Sequence, residues 1–349
     1  MNKAIEHRTR VHPDRFARNR LPWQQTQWDY IQACQRADRL PHALLFTGSQ
    51  GIGKRIFAEH LAEKLLCTQA SLQEDACGYC TSCRLMRAQT HPDFYLIAPE
   101  VNTSIKIEEI RALISVLHQT SGQYKVVLID KVEQLSIAAS HALLKTLEEP
   151  SADTIFILIT HKSEALLPTL RSRCHRLRFM PPQAQLAQHW LQQQNAKADP
   201  NLLQLLLRWN EYAVLSVHAL LFDEKILRLS TQFLASVVAL RTELVDPLTL
   251  AKQYSAIDPE QCIVWFMRII MDLIKIKLAV SIEDITRSEH GPIMQDLADS
   301  LTLNFLFAYY DHLVSLRSCY RSAPLNALLL IENLFCRWCI CLEADDVIS

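Results

Sequence analysis

A short apolar run that enters a glycine-rich loop and then a helix constrains the fold of this chain more than any other feature. The run at residues 43–47 precedes Gly-Ser-Gln-Gly-Ile-Gly-Lys-Arg at residues 48–55, and a segment of helical period follows. Glycine lets the backbone curl so that successive N–H groups point at a phosphate, which a helix N-terminus and a lysine also attract. The alternative is a glycine turn without a ligand. The pattern predicts a phosphate-binding loop whose candidate ligands are Gly48, Gly51, Gly53 and Lys54.

Three further apolar runs predict neighbouring strands of a parallel sheet. The runs at 94–97, 125–129 and 154–160 are continuous in apolar residues, as in strands buried on both faces. Segments with one apolar face predict helices at 54–66, 107–117 and 137–147. We therefore expect an α/β unit over residues 21–180, with helices on both faces of the sheet. The sequence Met-Pro-Pro at 180–182 predicts a break, followed by short helices at 181–222 and longer ones at 223–349.

Charge and cysteine content exclude several classes of protein. The chain has 36 Lys and Arg against 37 Asp and Glu, which excludes a strongly basic nucleic-acid wrapper. No apolar segment reaches the ~18 residues of a membrane span. Eleven cysteines, an odd number and mostly scattered, predict reduced thiols and a cytoplasmic protein. Residues 1–20 hold six basic residues without any period or apolar stretch, so we expect a mobile arm without a secretory signal; a nucleic-acid contact is the alternative.

The phosphate loop lacks two groups that a hydrolytic site of this kind uses. Arg55 occupies the position where Ser or Thr would ligate magnesium, and a guanidinium has no lone pair for a metal. The strand at 125–129 ends at Asp130, a candidate carboxylate of the nucleotide site. Lys131 follows where a Glu would activate water, and Glu133 would have to turn back toward the site. The sequence therefore predicts an ATPase fold that does not hydrolyse ATP by itself, and it makes ATP binding in this pocket doubtful.

Four cysteines predict a structural zinc site. They have the spacing Cx9CxxCxxC, and Gly78 allows a tight turn between the clustered thiols. Four thiolates are enough to close a tetrahedral zinc shell; buried free thiols or a redox pair are the alternatives. A second group at 336–341 lies among apolar residues of a predicted helix, which favours packed free thiols there. The candidate zinc ligands are Cys67, Cys77, Cys80 and Cys83.

These features together resemble the clamp-loader AAA+ family. The resemblance rests on Leu-Pro-Trp at 21–23, Pro-His-Ala-Leu-Leu at 41–45, the four-cysteine module, Ala-Leu-Leu-Lys-Thr-Leu-Glu-Glu-Pro at 142–150, and Leu-Arg-Ser-Arg-Cys at 170–174. It covers residues 21–180 with high specificity and continues more loosely, by helical pattern, to the end. It implies an AAA+ core at 21–180, a helical lid at 181–222, and a helical collar at 223–349 through which five related subunits assemble.

The resemblance also gives individual residues expected roles. It implies that Arg173, within Ser-Arg-Cys at 172–174, projects onto ATP held by a neighbouring subunit as an arginine finger in trans; from the residues alone, an ordinary surface arginine fits equally well. Thr160 resembles the sensor that touches the γ-phosphate, with a plain strand-end hydroxyl as the alternative. The lid of hydrolytic relatives carries a second sensor arginine near a glycine-rich turn, whereas residues 208–213 here contain no glycine.

The resemblance thus implies a non-hydrolysing subunit of the clamp loader of bacterial DNA polymerase III. Such a subunit completes the ring during loading of the sliding clamp on primed DNA in replication. The expected partners are the gamma/tau and delta subunits, with clamp and DNA contacted through the complex and no membrane. Two alternatives stay open at this point. One is an ATP-hydrolysing gamma/tau subunit, and the other is a stand-alone zinc and nucleic-acid-binding module with a vestigial phosphate loop.

Overall fold

The computed structural model describes residues 20–70, 75–99, 103–117, 124–150, 153–195, 198–241, 245–279, 291–322 and 326–343 of the chain. The arm predicted at 1–20 therefore lies, except for Arg20, outside the described residues. The chain forms two compact units. The first contains the described residues up to Ala187 together with Tyr212–Ser216, and the second contains Gln188–Glu211 and the described residues from Val217 onward. The division into core, lid and collar stays a prediction.

A five-stranded parallel sheet is the centre of the first unit; the sequence predicted a parallel sheet and four of its five strands. Across the sheet the strands lie in the order 94–97, 125–129, 154–160, 43–47 and 175–178, and every neighbouring pair is parallel. The predicted bounds of the first four strands match the structure. The strands are β1 (Ala43–Thr47), β2 (Phe94–Ile97), β3 (Lys125–Ile129), β4 (Thr154–Thr160) and β5 (His175–Arg178).

Helices cover both faces of this sheet, because successive strand residues point to opposite sides. Leu44 and Phe46 join one core with the helices at 25–36 and 54–66, in which the ring centroids of Trp28 and Phe57 lie 4.3 Å apart. Ala43 and Leu45 join a second core with the helices at 107–117, 137–148 and 168–173. The helices of this unit are α1 (Gln25–Arg36), α2 (Lys54–Leu66), α3 (Thr81–Arg87), α4 (Ile107–Leu117), α5 (Ile137–Glu148) and α6 (Pro168–Arg173).

Two edge strands depart from the prediction. The strand β5 was not predicted, because its sequence His-Arg-Leu-Arg contains one apolar residue; only Leu177 of the four is buried. The strand β2 was predicted to be buried on both faces, yet all four of its residues are only half-buried. Both strands lie at the ends of the sheet, where one backbone edge pairs with no other strand among the described residues.

The second unit is helical in its described residues. Asp258 caps the helix that begins at Pro259 by accepting the N–H of Glu260 at 3.2 Å, as predicted. The apolar stripe of that helix is part of the core. Phe266 is buried in an aromatic cluster, and its ring centroid lies 5.6 Å from that of Phe335. None of the described helices combines the length and hydropathy that crossing a bilayer requires. The helices after β5 are α7 (Ala184–Gln194), α8 (Pro200–Trp209), α9 (Val214–Phe222), α10 (Glu224–Arg241), α11 (Pro247–Tyr254), α12 (Pro259–Lys277), α13 (Gly291–Asp299), α14 (Leu303–Ser322) and α15 (Ala327–Glu343).

Candidate functional site

The glycine-rich loop connects β1 to the N-terminus of α2, where the sequence predicted it. Gly53 forms the N-cap of α2 with φ 91°, a left-handed conformation that a residue with a Cβ rarely adopts. A side chain there would also strike Leu21. The loop therefore has the strand, turn and helix arrangement of a phosphate cradle, with Gly48, Gly51, Gly53 and Lys54 brought together.

The ammonium of Lys54 is bound by the chain's own loop. Its Nζ donates to the carbonyl oxygens of Gly48 and Ser49, both at 2.6 Å, and contacts Nδ1 of His161 at 2.9 Å. An ammonium can only donate, so Nδ1 of His161 is the acceptor and all three N–H bonds are used. The side chain of Lys54 is buried, at 3% exposure. This residue has no free donor left for a phosphate in this conformation.

Burial sets the protonation of both partners in this contact. It lowers the pKa of Lys54 to about 8, against the opposing effects of Asp130 and Glu133. Burial also lowers the pKa of His161 to about 3, helped by the positive charges of Lys54 and Lys131. His161 is therefore neutral near pH 7, which is the state that an acceptor nitrogen requires. The sequence reasoning did not identify His161; its position directly after Thr160, at the end of β4, was the available signal.

An N-terminal segment holds the carbonyls of the loop from one side. Nε1 of Trp23 donates to the carbonyl of Ile52 at 3.0 Å, and Nε2 of Gln24 donates to the carbonyl of Gly53 at 2.9 Å. Gln24 is buried, at 1% exposure. These contacts fix the loop against the turn that precedes α1, and they were not predicted.

Residues far along the chain also reach the loop within the first unit. The backbone N–H of Leu215 donates to the carbonyl of Gly51 at 2.9 Å. A side chain at Gly51 would strike Oγ of Ser216 and approach Cβ of Ala213 at 3.1 Å. Segment 212–216 therefore packs directly on the glycine that would face a phosphate.

Arg55 and Asp130, which lie at the positions predicted for magnesium ligands, contact each other. Nη1 of Arg55 lies 3.4 Å from Oδ2 of Asp130, so the two residues in the metal-binding positions form an ion pair with each other. Nε of Arg55 also donates to Oε1 of Glu59 at 2.8 Å. The other oxygen of Asp130 accepts the backbone N–H of Lys131 at 3.0 Å. The carboxylate that would join a metal shell is thus neutralised from within the chain.

Glu133 lies closer to this pocket than the sequence suggested. Its Oε1 accepts the backbone N–H of His161 at 3.2 Å, and its Oε2 is buried without a hydrogen-bond partner among the described residues. Thr160 is fully buried, and its hydroxyl oxygen accepts the backbone N–H of Lys162 at 3.0 Å. The Thr160 hydroxyl therefore closes the end of its own strand, whereas the Glu133 carboxylate has one oxygen uncommitted.

The four predicted cysteines converge after α2. Their sulfur atoms all lie within 4.8 Å of one another, and the Cys67–Cys80 and Cys77–Cys83 pairs are each 3.9 Å apart. A tetrahedral zinc shell with Zn–S bonds of ~2.3 Å requires sulfur separations of ~3.8 Å, so the donor set fits this geometry. All four cysteines are free thiols in this structure. The cluster can hold a metal ion.

Backbone hydrogen bonds favour thiolate at this cluster. The N–H of Cys80 donates to Sγ of Cys77 at 3.3 Å, and the N–H of Cys83 donates to Sγ of Cys80 at 3.4 Å. Burial raises the pKa of Cys80, but the hydrogen bonds that its sulfur receives from Cys83 and Thr68 outweigh burial and lower the pKa to about 6. Burial raises the pKa of Cys83. A thiolate is the form that ligates a metal.

A buried Ser–His pair anchors the cysteine cluster to the sheet. Oγ of Ser82 donates to the carbonyl of Leu66 at 2.5 Å and contacts Nε2 of His91 at 2.8 Å. Nδ1 of His91 accepts the N–H of Asp93 at 3.1 Å, so the ring proton is on Nε2 and points at Ser82. These bonds connect the end of α2, the start of α3 and the segment that enters β2. These bonds were not predicted from the sequence.

Arg173 is the last residue of α6 and lies at the surface. Its Nη2 forms an ion pair with Oε1 of Glu148, and its Nη1 donates to the carbonyl of Thr169 at 3.2 Å. The side chain of Arg173 remains 36% exposed. The following residue, Cys174, is buried, and burial raises its pKa to about 12, so it is an inert thiol. The guanidinium of Arg173 thus keeps N–H groups that can donate to an acceptor on another molecule.

Comparisons with known proteins agree with this arrangement. A family described as "DNA polymerase III, delta subunit" matches residues 23–183, and one described as "DNA polymerase III, delta subunit, C terminal" matches residues 226–339. The DNA polymerase III subunit delta' of Pseudomonas aeruginosa is 32% identical over 91% of this chain and 96% of its own length.

Two further relatives bear on the choice between a delta' subunit and a gamma/tau subunit. The DNA polymerase III subunit delta' of Yersinia pestis is 33% identical over 80% of this chain and 83% of its own length. The DNA polymerase III subunit tau of Salmonella typhimurium is 35% identical, but over only 49% of this chain and 27% of its own length. Similarity to delta' subunits extends through both family regions, and the chain therefore belongs to the delta' family of DNA polymerase III subunits.

Proposed function

We propose that this chain is the clamp-loader subunit that completes the ring without hydrolysing ATP, and that it supplies Arg173 in trans to a neighbouring ATPase site. Its partners are the gamma/tau and delta subunits, and it reaches the sliding clamp and primed DNA through the complex in the cytoplasm. The observation that carries the first half is the Arg55–Asp130 ion pair. An arginine paired with the carboxylate at the metal position repels the magnesium that phosphoryl transfer uses.

The exposed guanidinium of Arg173 supports the second half of the proposal. Arginine presents a planar fork of N–H donors that matches phosphate oxygens and stays charged at every physiological pH. Arg173 is placed at a helix end, partly exposed, and used only in part by its own chain. An arginine finger of this kind contributes roughly 10³ to 10⁵ in turnover at the site it reaches.

Reconstitution of the complex with Arg173→Ala tests the finger. We expect DNA-stimulated hydrolysis at the adjoining site to fall roughly 10³-fold, and clamp loading to fall with it. Arg171→Ala is the matched control, because Arg171 is exposed on the same helix and two residues away. Equal activity of the Arg173→Ala and Arg171→Ala complexes would contradict the proposal.

We also propose that the four-cysteine cluster holds a structural zinc ion. Zinc supplies no chemistry to the nucleotide site; it stabilises the loop between α2 and α3, which is too small to form a core of its own. Purified protein should contain one zinc per chain, and Cys77→Ser should remove it. Cys319→Ser, at an exposed thiol outside the cluster, should retain the metal. Loss of zinc in neither variant, or absence of zinc from the wild type, would contradict this assignment.

A gamma/tau role is the alternative that the same residues argue against. It requires ATP and magnesium at Lys54 and Asp130, which here are bound by the chain's own loop and by Arg55. Hydrolysis by the purified chain at about one turnover per second, lost in Lys54→Ala, would favour that alternative.

A further inference from the structure

Glu148 and Arg173 connect the ends of two helices. Glu148 is the last residue of α5 and Arg173 is the last residue of α6. The ion pair joins Nη2 of Arg173 to Oε1 of Glu148, while Nη1 donates to the carbonyl of Thr169. Two of the three guanidinium nitrogens are therefore held, one by each helix.

The backbone beneath Glu148 is fixed. Leu143 and Leu147 of α5 pack with Leu170 of α6 in the core on this face of the sheet. Nε2 of His42, just before β1, donates to the carbonyl of Leu147 at 3.1 Å and closes the end of α5. The carboxylate of Glu148 is thus presented to Arg173 from a rigid helix end.

Helix stability does not account for a carboxylate at this position. The C-terminus of a helix carries partial negative charge, which disfavours an anionic side chain in the last turn. Glu148 is 48% exposed and Arg173 is 36% exposed, and ion pairs at such exposure contribute little to folding. The pair is better explained by what it does to the guanidinium.

Counting donors shows what remains available on Arg173. A guanidinium has five N–H groups, and the contacts with Glu148 and Thr169 use one each. Three N–H groups are left for an anion from outside the chain. An arginine side chain also loses considerable rotamer freedom when it is ordered, and here part of that ordering is done before any partner binds.

We propose that Glu148 is a positioning residue for Arg173, holding its guanidinium in one orientation before it meets the phosphate of a nucleotide on an adjoining subunit. The inference rests on the proposed function, because it gives Glu148 an effect only through the finger. It predicts that Glu148 affects the turnover of the neighbouring site more than the affinity of that site for ATP, since the guanidinium acts as charge develops in the transition state.

The test uses the reconstituted complex with Glu148→Gln, which removes the charge and keeps the shape. We expect the turnover number of DNA-stimulated hydrolysis to fall about fivefold, the upper range for an exposed ion pair, with KM within about twofold of wild type. Glu149→Gln is the matched control, because Glu149 is adjacent, acidic and exposed, and has no ion pair among the described residues. The melting temperature of Glu148→Gln should equal that of Glu149→Gln, which separates positioning from folding.

A double-mutant cycle decides whether Glu148 acts through Arg173. In the Arg173→Ala background, Glu148→Gln should cause no further loss of turnover. A further loss there, or wild-type or faster turnover in the single Glu148→Gln complex, overturns the inference. If Arg173→Ala itself leaves hydrolysis unchanged, the proposed function fails; if Arg173→Ala lowers hydrolysis but Glu148→Gln does not, only the positioning role fails.

Discussion

Two cations of the first unit, Lys54 and Arg173, differ in how much of each is left for a ligand outside the chain. Lys54 begins a helix, is 3% exposed, and donates to two loop carbonyls and a neutral histidine. Arg173 ends a helix, is 36% exposed, and keeps three of its five N–H groups free of the contacts described above. The N–H groups of Lys54 are therefore all bound by the chain itself, whereas Arg173 presents unused N–H groups to the surroundings.

The difference teaches that a nucleotide-binding motif and a nucleotide-binding site are separable. The loop keeps its glycines and its shape, yet Gly51 is packed by segment 212–216 and the metal carboxylate is paired with Arg55. A guanidinium at the surface needs no such machinery, because its charge and donor geometry are permanent. In the proposed function, the first unit lacks hydrolysis at its own loop and supplies an arginine to a neighbouring site.

Exchange of Arg173 for a lysine should have a larger effect than any exchange of Lys54. Arg173→Lys keeps the positive charge but replaces the planar fork by a point charge, so hydrolysis at the adjoining site should fall roughly 10²-fold. Free energy of unfolding should change by less than about 0.5 kcal/mol, since the residue is at the surface. Single-turnover hydrolysis by the reconstituted complex measures the first quantity, with Arg171→Lys as the control. Full activity in Arg173→Lys would mean that charge alone is sufficient.

Burial of Lys54 should make the free energy of unfolding depend on pH. Burial lowers its pKa from 10.5 to about 8, so below pH 8 the folded and unfolded chains both hold the proton and the full cost of burying the charge is present. Between pH 8 and 10.5 the unfolded chain holds more protons, and stability gains with rising pH. From pH 7 to about pH 9.5 the wild type should therefore gain about 2 kcal/mol relative to Lys54→Met.

Urea unfolding at the two pH values measures this difference. Lys145→Met is the control, because Lys145 is an exposed lysine on α5 and should give no pH-dependent difference. A stability difference between wild type and Lys54→Met that stays constant over this range would show that Lys54 titrates normally. That result would contradict the description of Lys54 as a buried cation, and it would leave the description of Arg173 unchanged.

Much of the first unit followed from local pattern. Four strands and the glycine loop were predicted because continuous apolar runs and glycine turns carry their structure in consecutive residues. The strand β5 was missed, since a polar edge strand such as residues 175–178 has no such run. The four sulfurs were predicted to converge, because CxxC spacing brings them together locally.

The contacts that decide the chemistry of the site join residues that are far apart in the sequence, so local sequence patterns did not predict them. His161 accepts from Lys54 across 107 residues, and Leu215 reaches Gly51 from a segment that sequence assigned to a different domain. The sequence identified Arg55 as a replacement for a magnesium ligand and Asp130 as a candidate carboxylate of the nucleotide site. Their ion pair, across 75 residues of sequence, is visible only in the fold. Such contacts depend on which strands are neighbours, and a single sequence does not encode that in any short segment.

DNA-stimulated ATP hydrolysis by the complete complex carrying Lys54→Met tests most directly whether this chain's own phosphate loop is idle. We expect turnover within about twofold of the wild-type complex, because the ammonium of Lys54 is bound by Gly48, Ser49 and His161. A fall of roughly 10²-fold or more, of the size expected when a catalytic group is removed, would contradict it.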